Sequence, residues 1–225
     1  DEHGLWLRGD IAGVLCAQFL GADVVVTPVS CNSVVERCGS FARVMRTRIG
    51  SPFVIEQMQR SVASGGRRVV GYEANGGFLT ASAIGLSKGI LQPLPTRDPL
   101  IVILSILSES VRRHCSVSAL RDSLPRRATA SDRLKEFPSE LGQRKVLELA
   151  SGGAARIESF FGEAFGRVRD INSIDGLRIT FDNGRIVHVR PSGNAPELRC
   201  YTECDSESDA VGLAKDALSL LARWR

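Results

Sequence analysis

No apolar run in the chain reaches the ~20 residues that a membrane-spanning helix needs. The longest, residues 100–107, is interrupted by Ser105. It reads as the buried face of a helix, and no membrane partner is expected. No secretory leader pattern and no Asn-x-Ser/Thr acceptor is visible. Internal repeats and low-complexity tracts are also missing. Aromatic residues make up only 6% of the chain, and its arginine pairs (Arg67-Arg68, Arg112-Arg113, Arg126-Arg127) are scattered without aromatics between them. A net charge of +4 spread in this way lacks the dense basic face of a nucleic-acid binder, so nucleic acid is not expected as a partner. Small anionic substrates suit the mild positive balance. The six cysteines (Cys16, Cys31, Cys38, Cys115, Cys200, Cys204) have no paired metal-ligand spacing, and His3, His114 and His188 are far apart. Reduced thiols of a cytoplasmic protein are therefore expected, not disulfides or zinc.

What is present fits a globular protein: 225 residues, 43% hydrophobic and 24% charged, enough for two domains of ordinary size. In the first part, Asp10 is placed to cap a helix carrying Ile11, Val14, Leu15 and Phe19, with Gly21 ending it. Strands are expected at residues 23–29, 43–48 and 69–72, separated by helices at 30–39 and 53–63. A long helix follows from Asp98-Pro99 to about Ala119, with proline at its first position. Strand alternating with helix predicts an α/β domain over residues 1–122, built on a mainly parallel sheet covered on its faces.

The polar stretch at residues 126–137 carries the expected domain junction. Beyond it, helices are expected at 140–150 and 154–165 and strands at 168–171, 176–181, 185–190 and 198–202. Asp182-Asn183-Gly184 forms a tight hairpin, and Ser206 caps a final helix, with Asp209 three residues on. Clustered strands flanked by helices predict a smaller α+β domain over residues 123–225 with an antiparallel sheet.

Two loops carry chemistry. Arg190-Pro191-Ser192-Gly193-Asn194-Ala195-Pro196-Glu197-Leu198-Arg199 reads as strand, tight loop, strand. Such a loop can turn consecutive N–H groups into one concavity. Ser192 and Asn194 add donors, and arginine adds a planar fork suited to phosphate. The plain alternative is a hairpin with solvated arginines. Gly71-Tyr72-Glu73-Ala74-Asn75-Gly76-Gly77-Phe78 follows a buried strand, so Glu73 and Asn75 stand beyond the carboxyl end of a parallel sheet, where ligands bind in such folds. A carboxylate and an amide together offer acceptors and donors to sugar hydroxyls. Here the plain alternative is a glycine-rich loop with a solvated glutamate.

The stretch Arg190 to Glu203 resembles the phosphate-binding loop of the α-D-phosphohexomutases, the phosphomannomutase/phosphoglucomutase family, usually RPSGTEPxxRxYxE. Asn194 stands where threonine is usual and Ala195 where glutamate is usual. Gly71 to Phe78 resembles the same family's sugar-binding loop, often GExSGH, with Asn75 for the serine and Gly77 for the histidine. Residues 46–51 resemble its Thr-x-Val-Gly segment. Some relatives carry a lysine near the position of Ser30 and a histidine near that of Ser51. Neither is present, which leaves Arg48 as the candidate cationic contact.

The resemblance covers nearly the whole chain but only the C-terminal half of a family member. The family's phosphoserine loop and its metal loop, DGDxDR, are not found, and the chain is expected to start just after the latter. It implies the last two domains of an enzyme that interconverts hexose 1- and 6-phosphates, of mannose or glucose, through a bisphosphorylated intermediate. Phosphate would be held by Arg190, Ser192, Gly193, Asn194 and Arg199, and sugar by Glu73 and Asn75. The catalytic phosphoserine and the Mg²⁺ site are expected in the parent's N-terminal domains, which are the implied protein partner. No residue of this chain is assigned to catalysis or metal, and the chain is expected to be inactive alone. A stand-alone sugar-phosphate-binding module is the alternative.

Overall fold

The computed structural model describes residues 1–225. The chain divides into two units, Asp1–Arg126 and Arg127–Arg225, against a division after residue 122 expected from composition. In the first unit, α1 (Gly9–Phe19) leads into β1 (Val24–Pro28), whose three valines are wholly buried. Then come α2 (Val34–Arg37), β2 (Arg43–Thr47), α3 (Ser51–Ala63) and β3 (Val69–Tyr72). They are followed by β4 (Phe78–Thr80), the hairpin β5 (Ile84–Leu86) and β6 (Gly89–Leu91), α4 (Pro99–Arg113) and α5 (Val117–Asp122). The sheet order is β2-β1-β3-β4. β1 runs parallel to β2 and β3, and β4 is antiparallel at the edge. Strand alternation sends Val25 and Val70 into the cluster with α1 and α4, while Val24, Val26 and Val69 pack with Val54 and Met58 of α3. Both faces of the sheet are covered, as a parallel sheet requires.

Four expectations for this unit need correction. Asp10 does not cap α1: Arg8 holds that position without a side-chain bond. Asp10 is the second residue of the helix, fully buried, accepting from Arg8 Nε (3.0 Å), from its neighbour Ile11 N (3.1 Å) and from Asn32 N (2.8 Å). It ties α1 to the turn after β1, and only four residues of the expected helix at 30–39 are helical. The helix begun by the Asp98 cap stops at His114, which adopts a left-handed conformation (φ 51°). Ser116 then caps the separate α5. Finally, α4 buries Val102, Ser105 and Ile106, not the 100–107 leucine stripe. Leu100, Ile103, Leu104, Leu107 and Val111 are all exposed. Ser105 faces α1, where Cys16 Sγ reaches its hydroxyl at 3.5 Å.

The second unit holds β7 (Ala128–Lys135), α6 (Ser139–Ser151), α7 (Gly153–Phe161), β8 (Val168–Asn172), β9 (Leu177–Phe181), β10 (Ile186–Pro191), β11 (Glu197–Cys204) and α8 (Glu207–Leu221). Its antiparallel sheet has the order β7-β11-β10-β9-β8. β7 occupies the stretch expected to be a linker. Its polar sequence suits an edge strand, where charge discourages further pairing. Ser206 caps α8 through Asp209 N, and Gly184 (φ 80°) closes the hairpin between β9 and β10, both as expected. Val187, Val189, Leu198 and Cys200 point into the core with α6, α7 and α8. Their alternating neighbours His188, Arg190, Arg199 and Tyr201 line the other face.

An ion pair locks the start of this unit. Arg127 and Glu203 are both almost fully buried, with Nε to Oε1 at 2.6 Å. Arg127 also reaches Asp205 and the carbonyl of Gly184, each at 2.7 Å. Removing one partner strands a buried charge. Arg127→Met should therefore cost about 3–5 kcal/mol of unfolding free energy in denaturant titrations. The double variant Arg127→Met, Glu203→Leu should lose clearly less, and an equal loss would show that the buried charge is not the cause.

Candidate functional site

The loop between β10 and β11, residues 192–196, is held by its own backbone. Ser192 N donates to Glu197 O and Glu197 N to Ala195 O, each at 2.8 Å. Phe137 N donates to Pro196 O, also at 2.8 Å, and Asn194 N approaches Ser192 Oγ at 3.4 Å. Ser192 is buried, whereas Gly193 and Asn194 are exposed at the tip. A Cβ on Gly193 would meet nothing within 4 Å, so the concavity is open there. Ala195, where the family pattern has glutamate, contributes only its carbonyl.

Arg190 and Arg199 flank the loop as direct cross-strand partners. Arg190 Nε donates to Asp175 Oδ1 at 2.8 Å, and its terminal nitrogens make no hydrogen bond within the chain. The guanidinium is thus aimed by one contact while the rest of its fork is available. Arg199 approaches Glu197 Oε2 at 3.4 Å from both Nε and Nη2. Asp175 reaches Arg190 because Gly176 (φ 78°) turns tightly against β10. A Cβ there would lie 2.4 Å from Val189 O. The Asp175 carbonyl in turn accepts from His188 Nε2 at 2.7 Å. Because a carbonyl can only accept, Nε2 carries the proton and Nδ1 is bare. Nδ1 is buried without a partner, and the ring stacks on Tyr201. Burial pushes the His188 pKa down to about 4, and the positive charges of Arg178 and Arg190 push the same way. Neither Asp175 nor His188 carries a signal in the sequence, because only the strand register brings them to Arg190.

The second loop is a five-residue hairpin turn between β3 and β4. Glu73 N donates to Gly77 O (3.0 Å), Gly76 N to Glu73 O (3.1 Å) and Gly77 N to Asn75 Oδ1 (2.9 Å). Glu73 is buried, and its carboxylate accepts from Arg97 Nη2 at 3.0 Å. Asn75 is exposed and spends its oxygen on the turn, which leaves its amide nitrogen outward. The turn lies hard against the start of α1: a Cβ on Gly9 would fall 2.2 Å from Gly76 N. Arg97 went unrecognised in the sequence. Its one signal is its place immediately before the helix-capping Asp98-Pro99 pair. Arg48 follows β2 at the same carboxyl edge of the sheet, exposed, with its cation 4.7 Å from the Phe53 ring centre. Its neighbour Arg46 is committed to the fold, bonded to Glu36 and to the carbonyls of Pro28, Cys31 and Asn32.

No group of three or more His, Cys, Asp or Glu side chains is placed to hold a metal ion. The residues present do not fit a magnesium site, and none is assigned to one.

Comparison with known proteins identifies relatives of both units. Residues 8–128 match the model of phosphoglucomutase/phosphomannomutase, alpha/beta/alpha domain III, and residues 128–220 that of the phosphoglucomutase/phosphomannomutase C-terminal domain. A phosphomannomutase from Salmonella muenchen is 42% identical over 222 residues, covering 97% of this chain and 45% of the relative. The chain spans about half the length of the curated relatives it matches. Among solved structures, a phosphoglucomutase/phosphomannomutase family protein from Burkholderia thailandensis superposes with a TM-score of 0.67 at 17% identity, over 98% of this chain and 43% of that one. Aspergillus fumigatus N-acetylphosphoglucosamine mutase, solved in complex with GlcNAc-6P and magnesium, gives 0.63 at 15% identity, over 100% and 46%. At these identities the structures speak to the fold.

The neutral, buried His188 gives the arginine-bearing sheet a pH dependence. Unfolded, the side chain takes up a proton near 6.5, whereas folded it holds off until about 4. A base with a depressed folded pKa stabilises fully above the unfolded pKa, and that stability drains away as pH falls from about 6.5 toward 4. Between pH 7 and pH 4.5 this one group should account for on the order of 2–3 kcal/mol. Urea titrations of wild type and His188→Phe at both pH values should show a shallower loss in the variant. Parallel losses would mean that His188 takes up its proton in the fold at the same pH as in the unfolded chain.

Proposed function

Because the chain belongs to the phosphoglucomutase/phosphomannomutase family, we propose that it forms the substrate-gripping half of an enzyme that interconverts hexose 1-phosphates and 6-phosphates through a bisphosphorylated intermediate. The observation that carries this reading is the self-bonded loop at residues 192–196, flanked by Arg190 with its terminal nitrogens open. A phosphate dianion needs several donors converging from one side and a planar fork to fix its orientation. Arg190 and Arg199 would supply charge, and Ser192, Gly193 and Asn194 would close around the oxygens. Glu73 would accept from sugar hydroxyls, its carboxylate held in place by Arg97, and the Asn75 amide would donate to them. Arg48 is the candidate third cation, at the carboxyl edge of the first sheet.

In such a reaction this half holds the phosphate that is not being transferred. Fixing the far end of the substrate orients the reacting end, and well-oriented reactants can gain up to ~7–11 kcal/mol of barrier lowering. The group that donates phosphate, and the Mg²⁺ with which the Aspergillus neighbour was solved, would belong to the parent's other domains. A binding module without chemistry would use the same two loops.

Two measurements test the reading. Arg190→Ala in the full-length parent should lower turnover of mannose or glucose phosphates by about tenfold to a thousandfold, because a charge-assisted bidentate contact is lost. Unchanged kinetics would remove the loop as a phosphate site. The 225-residue chain with Mg²⁺ should bind hexose phosphate weakly and show no interconversion by phosphorus NMR, and turnover by the chain alone would contradict the division of labour.

A further inference from the structure

The strand register sets three arginines in one row of the second sheet. Arg190 lies opposite Arg199, and Arg199 lies opposite Arg133 on β7, so all three side chains leave the same face. Lys135, opposite Glu197, joins them on that face. Like charges directly opposite one another destabilise an antiparallel pair. An edge strand gains from carrying charge, but that does not account for arginine facing arginine. Two carboxylates stand among these cations. Asp175 is taken by Arg190 at 2.8 Å. Glu197 is shared, 3.3 Å from Arg133 and 3.4 Å from Arg199. Those contacts are long beside the roughly 2.7–2.9 Å of a strong charge-assisted bond. They are also open to exchange, since Arg133 is 48% exposed and Arg199 36%.

We propose that Arg133 is a third arginine of the phosphate site, and that Glu197 is the counter-ion which phosphate displaces. In the anion-free protein the Glu197 carboxylate holds the guanidinium groups of Arg133 and Arg199. A phosphoryl dianion carries more charge and more oxygens, satisfies both forks and relieves the repulsion along the row. The ligand class is the phosphoryl end of a hexose phosphate. The proposal rests on reading residues 192–196 as the phosphate loop and extends that site to a residue outside the loop motif.

The test titrates the 225-residue chain with inorganic phosphate and with mannose 6-phosphate by calorimetry at constant ionic strength. It compares wild type with Arg190→Ala, Arg133→Gln and Glu197→Gln. Arg133→Gln should weaken both ligands about tenfold, the usual size for one charged contact. Glu197→Gln should tighten both several-fold, although its ligand-free melting temperature falls as the row loses its counter-ion. Phosphate should then raise that melting temperature more than it does in wild type. A purely structural Glu197 would lower the melting temperature without tightening. Unchanged affinity in Arg133→Gln, or unchanged or weaker affinity in Glu197→Gln, overturns the proposal. If Arg190→Ala alone abolishes binding while those two fail, the phosphate-loop reading stands and only this extension falls. If Arg190→Ala binds like wild type, both fall.

Discussion

The antiparallel register between β10 and β11 sets the chemistry of the second unit. A slip of one residue in β11 would turn Arg199 into the core and drive Cys200 out to solvent, and the same slip in β10 would exchange Arg190 and Val189 in that way. The core forbids this: Val187, Val189, Leu198 and Cys200 are all wholly buried. At roughly 1.5–3 kcal/mol per large apolar side chain, misplacing even two of them would remove a large part of the stability of an ordinary domain. The apolar face thus decides where the arginines stand, and it does so against their mutual repulsion. A repulsive row survives because hydrophobic packing on the opposite face fixes its geometry.

The first unit meets a similar demand by different means. Its candidate binding groups sit at the carboxyl edge of parallel strands, where backbone emerges without ladder partners. Close approach replaces charge as the constraint. Gly9 lets α1 touch the turn at Gly76, and Asp10 bonds Asn32 in the turn after β1. Two connections at that edge are thereby referred to one helix start. The Glu73 carboxylate gains a fixed direction from Arg97, because a buried carboxylate without a cation would be costly.

Legibility in the sequence followed how local each feature is. The loops at 71–78 and 190–201 could be read because their residues lie side by side and their turns are written in glycine, proline and asparagine. The alternation of strands and helices was legible for the same reason. Arg97, Arg133, Asp175 and His188 were not, since each meets its partners through pairing with a distant segment. β7 was hidden by its own polarity, because a charged edge strand carries the composition of a linker. The α4 stripe misled in the opposite direction. Leucine at helical spacing implies a buried face, yet the face that packs is built on Val102, Ile106 and the small Ser105, which lets α1 come close. Asp10 shows the limit of capping rules: the residue type fits the helix start, but it stands two positions past the cap, its carboxylate used on a tertiary contact.

Both loops hold their reading groups already engaged. The Asn75 oxygen closes its own turn, Glu73 is paired with Arg97, Arg190 is aimed by Asp175, and Arg199 leans on Glu197. On the proposed reading, ligand contact at these positions would be exchange of partners more than capture by free side chains. Exchange keeps affinity moderate, because each gained bond is offset by one released. It also keeps the side chains ordered beforehand, which reduces the entropy cost of binding. On the proposed reading, the site would hold a phosphate during one half of a reaction and release it for the other, and moderate affinity with fixed direction is the combination that suits such a task. Full commitment of the arginines would block release, and no commitment would leave the substrate's far end free to wander.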